Sequence, residues 1–207
     1  MRTTPIQPAR LLRVELLDTW QVGSGRAQGR HLDAVADRDA HGLPFVPGRM
    51  LKGLLRDAAA ALEAWQHWPG GTTERLFGDH SQRDDGLAAP GLLGIGNAEL
   101  PLAERAWLAS EDEDARRQRA ALFVAQFQTA IDRDSGIAAS GSLRGIELVL
   151  PLALQAEVTL GRPGVPAGED DWRRLTQLLP LVRAVGAHKT RGHGRARLRW
   201  ADEGETT

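Results

Sequence analysis

The chain has 207 residues with 26 Lys and Arg against 27 Asp and Glu, a formal net charge of −1, and 42% hydrophobic residues. That length suits one large domain with insertions, and the composition is that of an ordinary globular protein, with no apolar run long enough to span a membrane. With no cysteine there is no disulfide framework, thiolate metal site or cysteine nucleophile, and the opening MRTTPIQPAR lacks the apolar core of a signal peptide, so a cytoplasmic location is expected.

Residues 11–20 alternate, with Leu12, Val14 and Leu16 on one face, and predict a strand. Residues 22–30 then form a basic glycine loop with Arg26 and Arg30. Its glycine spacing is wrong for a dinucleotide fingerprint and no helix opens after it. Residues 31–46 read as extended and loop-rich, framed by Pro44 and Pro47.

A helix is predicted after Pro47-Gly48, because Leu51, Leu54, Leu55, Ala58, Ala59 and Leu62 recur at helical spacing. Arg49, Lys52 and Arg56 put three cations on one stripe of it, a pattern equally expected of a solvated helix face. Met50 reads as core in this register.

Residues 67–90 look turn-rich, a mobile insertion. Residues 91–100 read as a short strand and 103–121 as a charged helix. A strand is expected over 122–131, a polar Gly/Ser/Ala loop over 132–142, and one or two strands over 143–160 broken at Pro151. A helix over 169–179 begins with acids, complementary to its dipole, and Pro180 should end it. Residues 195–200 alternate as a closing strand, and the tail 201–207 is expected to be disordered. Strand, helix, strands, helix, strand is the order of an α+β sandwich, with helices on one face of an antiparallel sheet in the ferredoxin-like manner. No internal repeat or composition shift marks a second domain, so residues 1–200 are read as one unit with insertions near 21–46, 67–90 and 129–145.

The most informative stretch is 186–195, where His188, Lys189, Arg191, His193 and Arg195 are interleaved with three glycines. Glycine permits close backbone approach and positive φ, and arginine and lysine supply fixed charge for phosphate. The length of the basic run favours nucleic acid over a small phosphate, and a solvated basic turn is the equally weighted plain alternative. Residues 183–199 hold six Lys and Arg and no acid, whereas acids gather at 111–114, 169–171 and 202–205. A neutral chain with one basic face fits a subunit of a ribonucleoprotein better than a solitary binder, which is usually basic overall. With no tyrosine, six Trp and four Phe, an aromatic stacking platform is not evident. The six histidines include no HExxH spacing, so structural zinc is not expected, and nothing points to an organic cofactor.

Four segments together resemble one family. Leu43-Pro44-Phe45-Val46-Pro47-Gly48-Arg49-Met50-Leu51-Lys52-Gly53-Leu54-Leu55-Arg56 is similar to its proline-glycine, lysine-glycine helix start. Leu76-Phe77-Gly78 is similar to the short motif after that helix. Ile131-Asp132-Arg133-Asp134-Ser135-Gly136 resembles its central motif, and residues 188–195 resemble its C-terminal glycine loop. The family is the RAMP superfamily of CRISPR-associated proteins, and the central motif resembles that of the backbone subunit of type III effector complexes.

The resemblance implies a modified RNA-recognition (ferredoxin-like) domain. It also implies copies of the chain in a filament with other effector subunits, guide CRISPR RNA held mainly through its backbone, and single-stranded target RNA. A hairpin thumb that kinks the guide–target duplex is implied too, with residues 136–141 as its expected loop. Target cleavage in antiviral defence would use an aspartate and a divalent metal such as Mg²⁺. Asp33, fourteen residues ahead of Pro47, is the best match for that aspartate, with Asp37, Asp39 and, for proton transfer, His31 as weaker candidates; each Asp equally suits a polar turn. Arg26, Arg30, Arg49, Lys52, Arg56, Arg133, His188, Lys189, Arg191, His193 and Arg195 become the candidate RNA contacts. Two alternatives stand beside this reading. One is a non-catalytic structural or capping subunit; the other is a metal-independent, guide-processing endoribonuclease using His31 or His41, against which the central motif argues. No membrane partner is expected.

Overall fold

Alternation of apolar and charged side chains drives the central strand, β1 (Arg10–Leu16): Leu12, Val14 and Leu16 are buried, and Arg13 and Glu15 face the other way. A computed structural model describes residues 9–23, 33–79, 89–139 and 141–201. The elements that follow are α1 (Gly48–Ala64), α2 (Thr72–Phe77), β2 (Leu93–Ile95), α3 (Leu102–Leu108), α4 (Glu113–Ala121), β3 (Phe123–Gln128), β4 (Arg144–Val149), β5 (Leu152–Leu160), α5 (Glu169–Leu178) and β6 (Ala196–Trp200).

Four strands form one antiparallel sheet in the order β2-β5-β1-β6. With α1 between β1 and β2, and α5 between β5 and β6, this is the βαββαβ arrangement of a ferredoxin-like fold. Its modification is the insertion between β2 and β5, which carries α3, α4 and the separate β3–β4 hairpin. The core lies between the sheet and the two long helices. Leu51, Leu55 and Ala59 of α1 and Trp172, Leu175 and Leu178 of α5 pack onto Leu12, Val14, Leu154 and Leu198. Each buried leucine contributes roughly 1.5–3 kcal/mol. The opposite face carries Arg13, Glu15, Gln155, Arg197 and Arg199, and no aromatic side chain projects from its described strand positions.

Local chemistry explains where elements begin and end. Gly48 opens α1 where any larger residue would collide, since a Cβ there would sit 2.3 Å from the Ile95 carbonyl oxygen. Its N–H is taken by Asn97 Oδ1 at 3.0 Å. α5 ends at Leu178, and Pro180 lies in the 3₁₀ turn Leu179–Leu181 that follows, as the proline predicted. Asp171, only 3% exposed, accepts the Gly168 N–H and binds Arg75 through both oxygens at 3.0 and 2.8 Å, clamping α2 to the start of α5.

Three elements differ from the sequence expectation. The turn-rich 67–90 stretch contains α2, whose Thr72, Thr73, Leu76 and Phe77 are buried. The single helix expected over 103–121 is two helices, because Asp112 caps a fresh start by accepting the Asp114 and Ala115 N–H groups. The first strand stops at Leu16 rather than running to Trp20, since Asp18 and Thr19 turn the chain toward the 186–195 loop.

Candidate nucleic-acid interface

The 186–195 loop is shaped by glycine and stapled to the segment after β1. Gly186 (φ +92°) and Gly194 (φ +73°) adopt left-handed backbone, and a Cβ on either would lie 2.3 Å from the Gln21 oxygen or 2.1 Å from the Val185 oxygen. Ala187 N–H donates to Gln21 O at 2.7 Å, and Gly194 N–H to Thr19 O at 2.9 Å. Between these staples runs a single 3₁₀ turn, Lys189–Arg191, flanked by His188 (φ +58°) and Gly192 (φ +83°). That turn holds Lys189 and Arg191 in solvent while the glycines keep the backbone close to the body of the protein.

The two loop histidines are placed rather than loose. Thr19 Oγ1 lies 3.0 Å from His193 Nδ1, and the rings of His188 and His193 stand edge to face at 6.3 Å. Burial, then the Arg191 guanidinium and His193, push the His188 pKa below that of a free histidine. Arg195 pairs with Asp18 at 3.1 Å.

Segment 19–23 also joins the loop to the hairpin. Trp20 and Val149 exchange both backbone hydrogen bonds at 3.0 and 2.7 Å, which docks β4 beside the loop's anchor. Segment 33–39 closes the other side. Asp37 N–H donates to Val22 O, and Arg38 bridges to Glu147 at 2.9 Å while lying 3.8 Å over the Phe123 ring. Glu147, buried in β4, additionally accepts the Ala36 N–H.

The result is a neck at the base of the hairpin where two candidate groups are anchored on neighbouring rungs. Asp33 N–H donates to Gly145 O at 2.8 Å, and Asp33 Oδ2 accepts the Gly145 N–H at 3.0 Å. On the adjoining rung, where Gln128 faces Arg144, Arg191 donates to Gln128 Oε1 at 3.1 Å. Asp33 is exposed, and its other oxygen has no partner among the described residues.

Asp37 and Asp39 are spent differently. Asp37 accepts the Arg38 N–H. Asp39 takes the His41 and Leu43 N–H groups at 2.8 and 2.9 Å and pairs with Arg105, the work of a turn-building aspartate. Arg26, Arg30 and His31 lie outside the described residues.

The described residues include no cluster of three or more His, Asp or Glu that would cage a metal. Mg²⁺, however, is commonly held by one or two carboxylates, with water and substrate phosphates completing its shell. One exposed carboxylate beside a phosphate-suited loop fits that donor set.

Beyond the neck the hairpin projects an arm. Ile131 bridges to Ala138, and Asp132 builds the tip by accepting the Asp134 N–H, the Ser135 N–H and the Ser135 hydroxyl. The two Ser135 contacts, backbone first, hold its carboxyl below the usual carboxylate range. Arg133 has no partner among the described residues and does not pair with Asp132. Four apolar side chains of the arm stand in solvent: Phe127 (56% exposed), Ile131 (62%), Ile137 (67%) and Leu143 (64%). The sequence analysis placed Ile131 in the central motif and Ile137 in the expected thumb loop but named none of the four as an RNA contact, although Phe and Ile in a polar, glycine-rich hairpin are a signal of use rather than packing.

The α1 stripe is apart from the neck, on the helix that adjoins β2. Arg49 is exposed and Arg56 half-buried. Lys52 donates to the Leu93 carbonyl at 2.8 Å, and burial together with neighbouring Arg56 lowers its pKa.

Comparison with known proteins agrees with this architecture. One subunit fold from the apo type III-B Cmr-beta complex superposes with a TM-score of 0.63 at 14% identity, covering 94% of this chain and 98% of that one. The same complex bound to cognate target RNA gives 0.69 at 14% identity with the same coverage. A chain of a type IV-B CRISPR complex gives 0.60 at 14% identity, covering 95% and 91%. No curated protein sequence matches. The sequence profile of the RAMP superfamily matches residues 13–197, nearly the whole of the β1-to-β6 framework and its insertions, and the chain belongs to that superfamily.

Proposed function

We propose that this protein is a guide-RNA-binding backbone subunit of a type III CRISPR effector, and that it cleaves target RNA at the neck of its hairpin. The observation that carries the reading is the convergence on neighbouring rungs of that neck, Gly145 and Gln128, of Asp33 and the Arg191 loop. Lys189 and Arg191 meet guide phosphates in solvent, with His188 and His193 as further donors. Arg49, Arg56 and Arg133 extend the contact along the backbone, and Lys52 supports α1 from beneath. The exposed Phe127, Ile131, Ile137 and Leu143 suit insertion between unstacked bases, as apolar wedges do elsewhere.

In the cleavage step Asp33 would orient the 2′-hydroxyl as it attacks the adjacent phosphorus and the bond to the 5′-oxygen of the next nucleotide breaks, while the Gly145 N–H fixes the direction of the carboxylate. A divalent ion, when bound with RNA, supplies charge neutralisation at the scissile phosphate.

Asp33→Asn in the assembled complex tests the reading. It should remove metal-dependent cutting, by about 10²-fold or more, while leaving RNA binding within about twofold. Retained cutting removes Asp33 from the catalytic role and leaves the capping or structural subunit as the better description.

A further inference from the structure

β6 is an outer strand of the sheet, and its free edge is only partly covered. Leu17 N–H bonds Arg195 O and Ala201 N–H bonds Leu11 O, so the odd-numbered residues of this strand face β1. The even-numbered ones face outward. Ala196 N–H finds the Arg183 carbonyl at 2.8 Å, but the next outward residue, Leu198, has no main-chain partner among the described residues. An unpaired edge is an open template for another strand.

A groove of about 310 Å³ runs beside this edge. Leu179, Pro180, Val182 and Leu198 give it an apolar floor, and Arg183 and Arg197 stand at its rim. Both arginines are exposed and neither has an ion-pair partner among the described residues, whereas neighbouring Arg195 is already held by Asp18.

We propose that this groove accepts an extended peptide segment of a protein partner, one whose side chains alternate between acidic and apolar. A strand added along the edge puts successive side chains on opposite faces. Those on one face meet Arg197, and those on the other fall onto Leu179, Val182 and Leu198. Single-stranded RNA would satisfy the guanidiniums but offers neither the apolar half nor the paired main-chain donor and acceptor that Leu198 presents. The inference does not depend on the RNA reading, since neither Arg183 nor Arg197 belongs to the proposed RNA contacts.

The test uses a fluorescein-labelled, N-acetylated hexapeptide of alternating glutamate and valine, followed by anisotropy against the full chain. Three results are expected: saturable binding below about 1 mM, at least about tenfold weakening in R183Q/R197Q, and loss of binding when alternate peptide nitrogens are methylated. Hydrogen exchange at the Leu198 amide should slow on binding. Both substituted arginines are exposed, so the variant should retain the circular dichroism of the parent. Absence of binding, equal binding by a lysine-valine peptide, indifference to methylation, or displacement of the peptide by single-stranded RNA would each overturn the proposal; the last would mark the groove as an RNA surface.

Discussion

The α1 stripe and the 186–195 loop carry similar charge in the sequence and very different charge in space. On α1 the cations alternate with Leu51 and Leu55, so they ride a helix whose other face is core. Lys52 is drawn in far enough to hydrogen-bond Leu93, and burial lowers its pKa. In the loop, Lys189 and Arg191 sit on a 3₁₀ turn between left-handed residues, and both are exposed, with Arg191 reaching Gln128. The difference teaches that backbone conformation, more than local charge count, decides whether a cation is available to a polyanion. A helix shares its residues between core and solvent; a glycine-pinned turn keeps its backbone against the body and leaves Lys189 and Arg191 exposed.

The largest expected break in that comparison is Gly194→Val. Its Cβ would meet the Val185 oxygen at 2.1 Å in a backbone conformation valine rarely adopts, so the loop must leave its anchor at Thr19. RNA affinity should fall by about 100-fold and stability by roughly 2–4 kcal/mol, read by filter binding and urea titration. A variant that binds normally would show that the loop's shape is irrelevant.

Asp171→Asn comes next and acts on stability alone. It weakens the Arg75 clamp and the α5 cap, costing roughly 1.5–3 kcal/mol, a range reduced because Arg75 is nearly half exposed. The Arg75 hydrogen bonds hold the Asp171 carboxyl below its ordinary value. Its contribution is therefore complete above the unfolded carboxylate pKa and lost as pH falls through the folded one. Acid unfolding of the variant should show a shallower pH dependence, with RNA binding at neutral pH unchanged.

Lys52→Met sharpens the contrast from the other side. It should leave stability within about 1 kcal/mol and RNA affinity within about threefold, because the lysine's hydrogen bond is to its own fold. Arg49→Gln, at the exposed start of the stripe, should cost affinity by about two- to threefold with no change in melting temperature. A tenfold loss at either position would make the stripe the primary RNA surface and invert the account.

Much of the framework was legible because it is periodic. The leucine spacing of α1, the alternation of β1 and β6, and the Pro151 break between β4 and β5 each follow from one short window of sequence. The break at Asp112 was legible in principle, since an aspartate ahead of a charged run is a cap signal; the uniform charge of 103–121 masked it. α2 was missed because six residues carry too little periodicity to stand out from turns. Of the candidate site, the glycine loop showed itself through composition, and Asp33 through resemblance alone. What no window contains is their anchorage on the same hairpin. Asp33 reaches Gly145 across 112 residues, and Arg191 reaches Gln128 across 63. The Arg38–Glu147 bridge that fixes the intervening segment spans 109. Contacts at such separation are set by the topology of the sheet and its insertion, not by any local pattern.

The most direct test of the central claim, that the loop at the hairpin neck holds RNA, is the salt dependence of single-stranded RNA binding by Arg191→Gln beside the parent chain, each assembled with its partner subunits. The account predicts an affinity loss of about tenfold at moderate salt and a log–log salt slope shallower by about 0.7, the share of one phosphate contact on a single strand. An unchanged affinity and slope would contradict it.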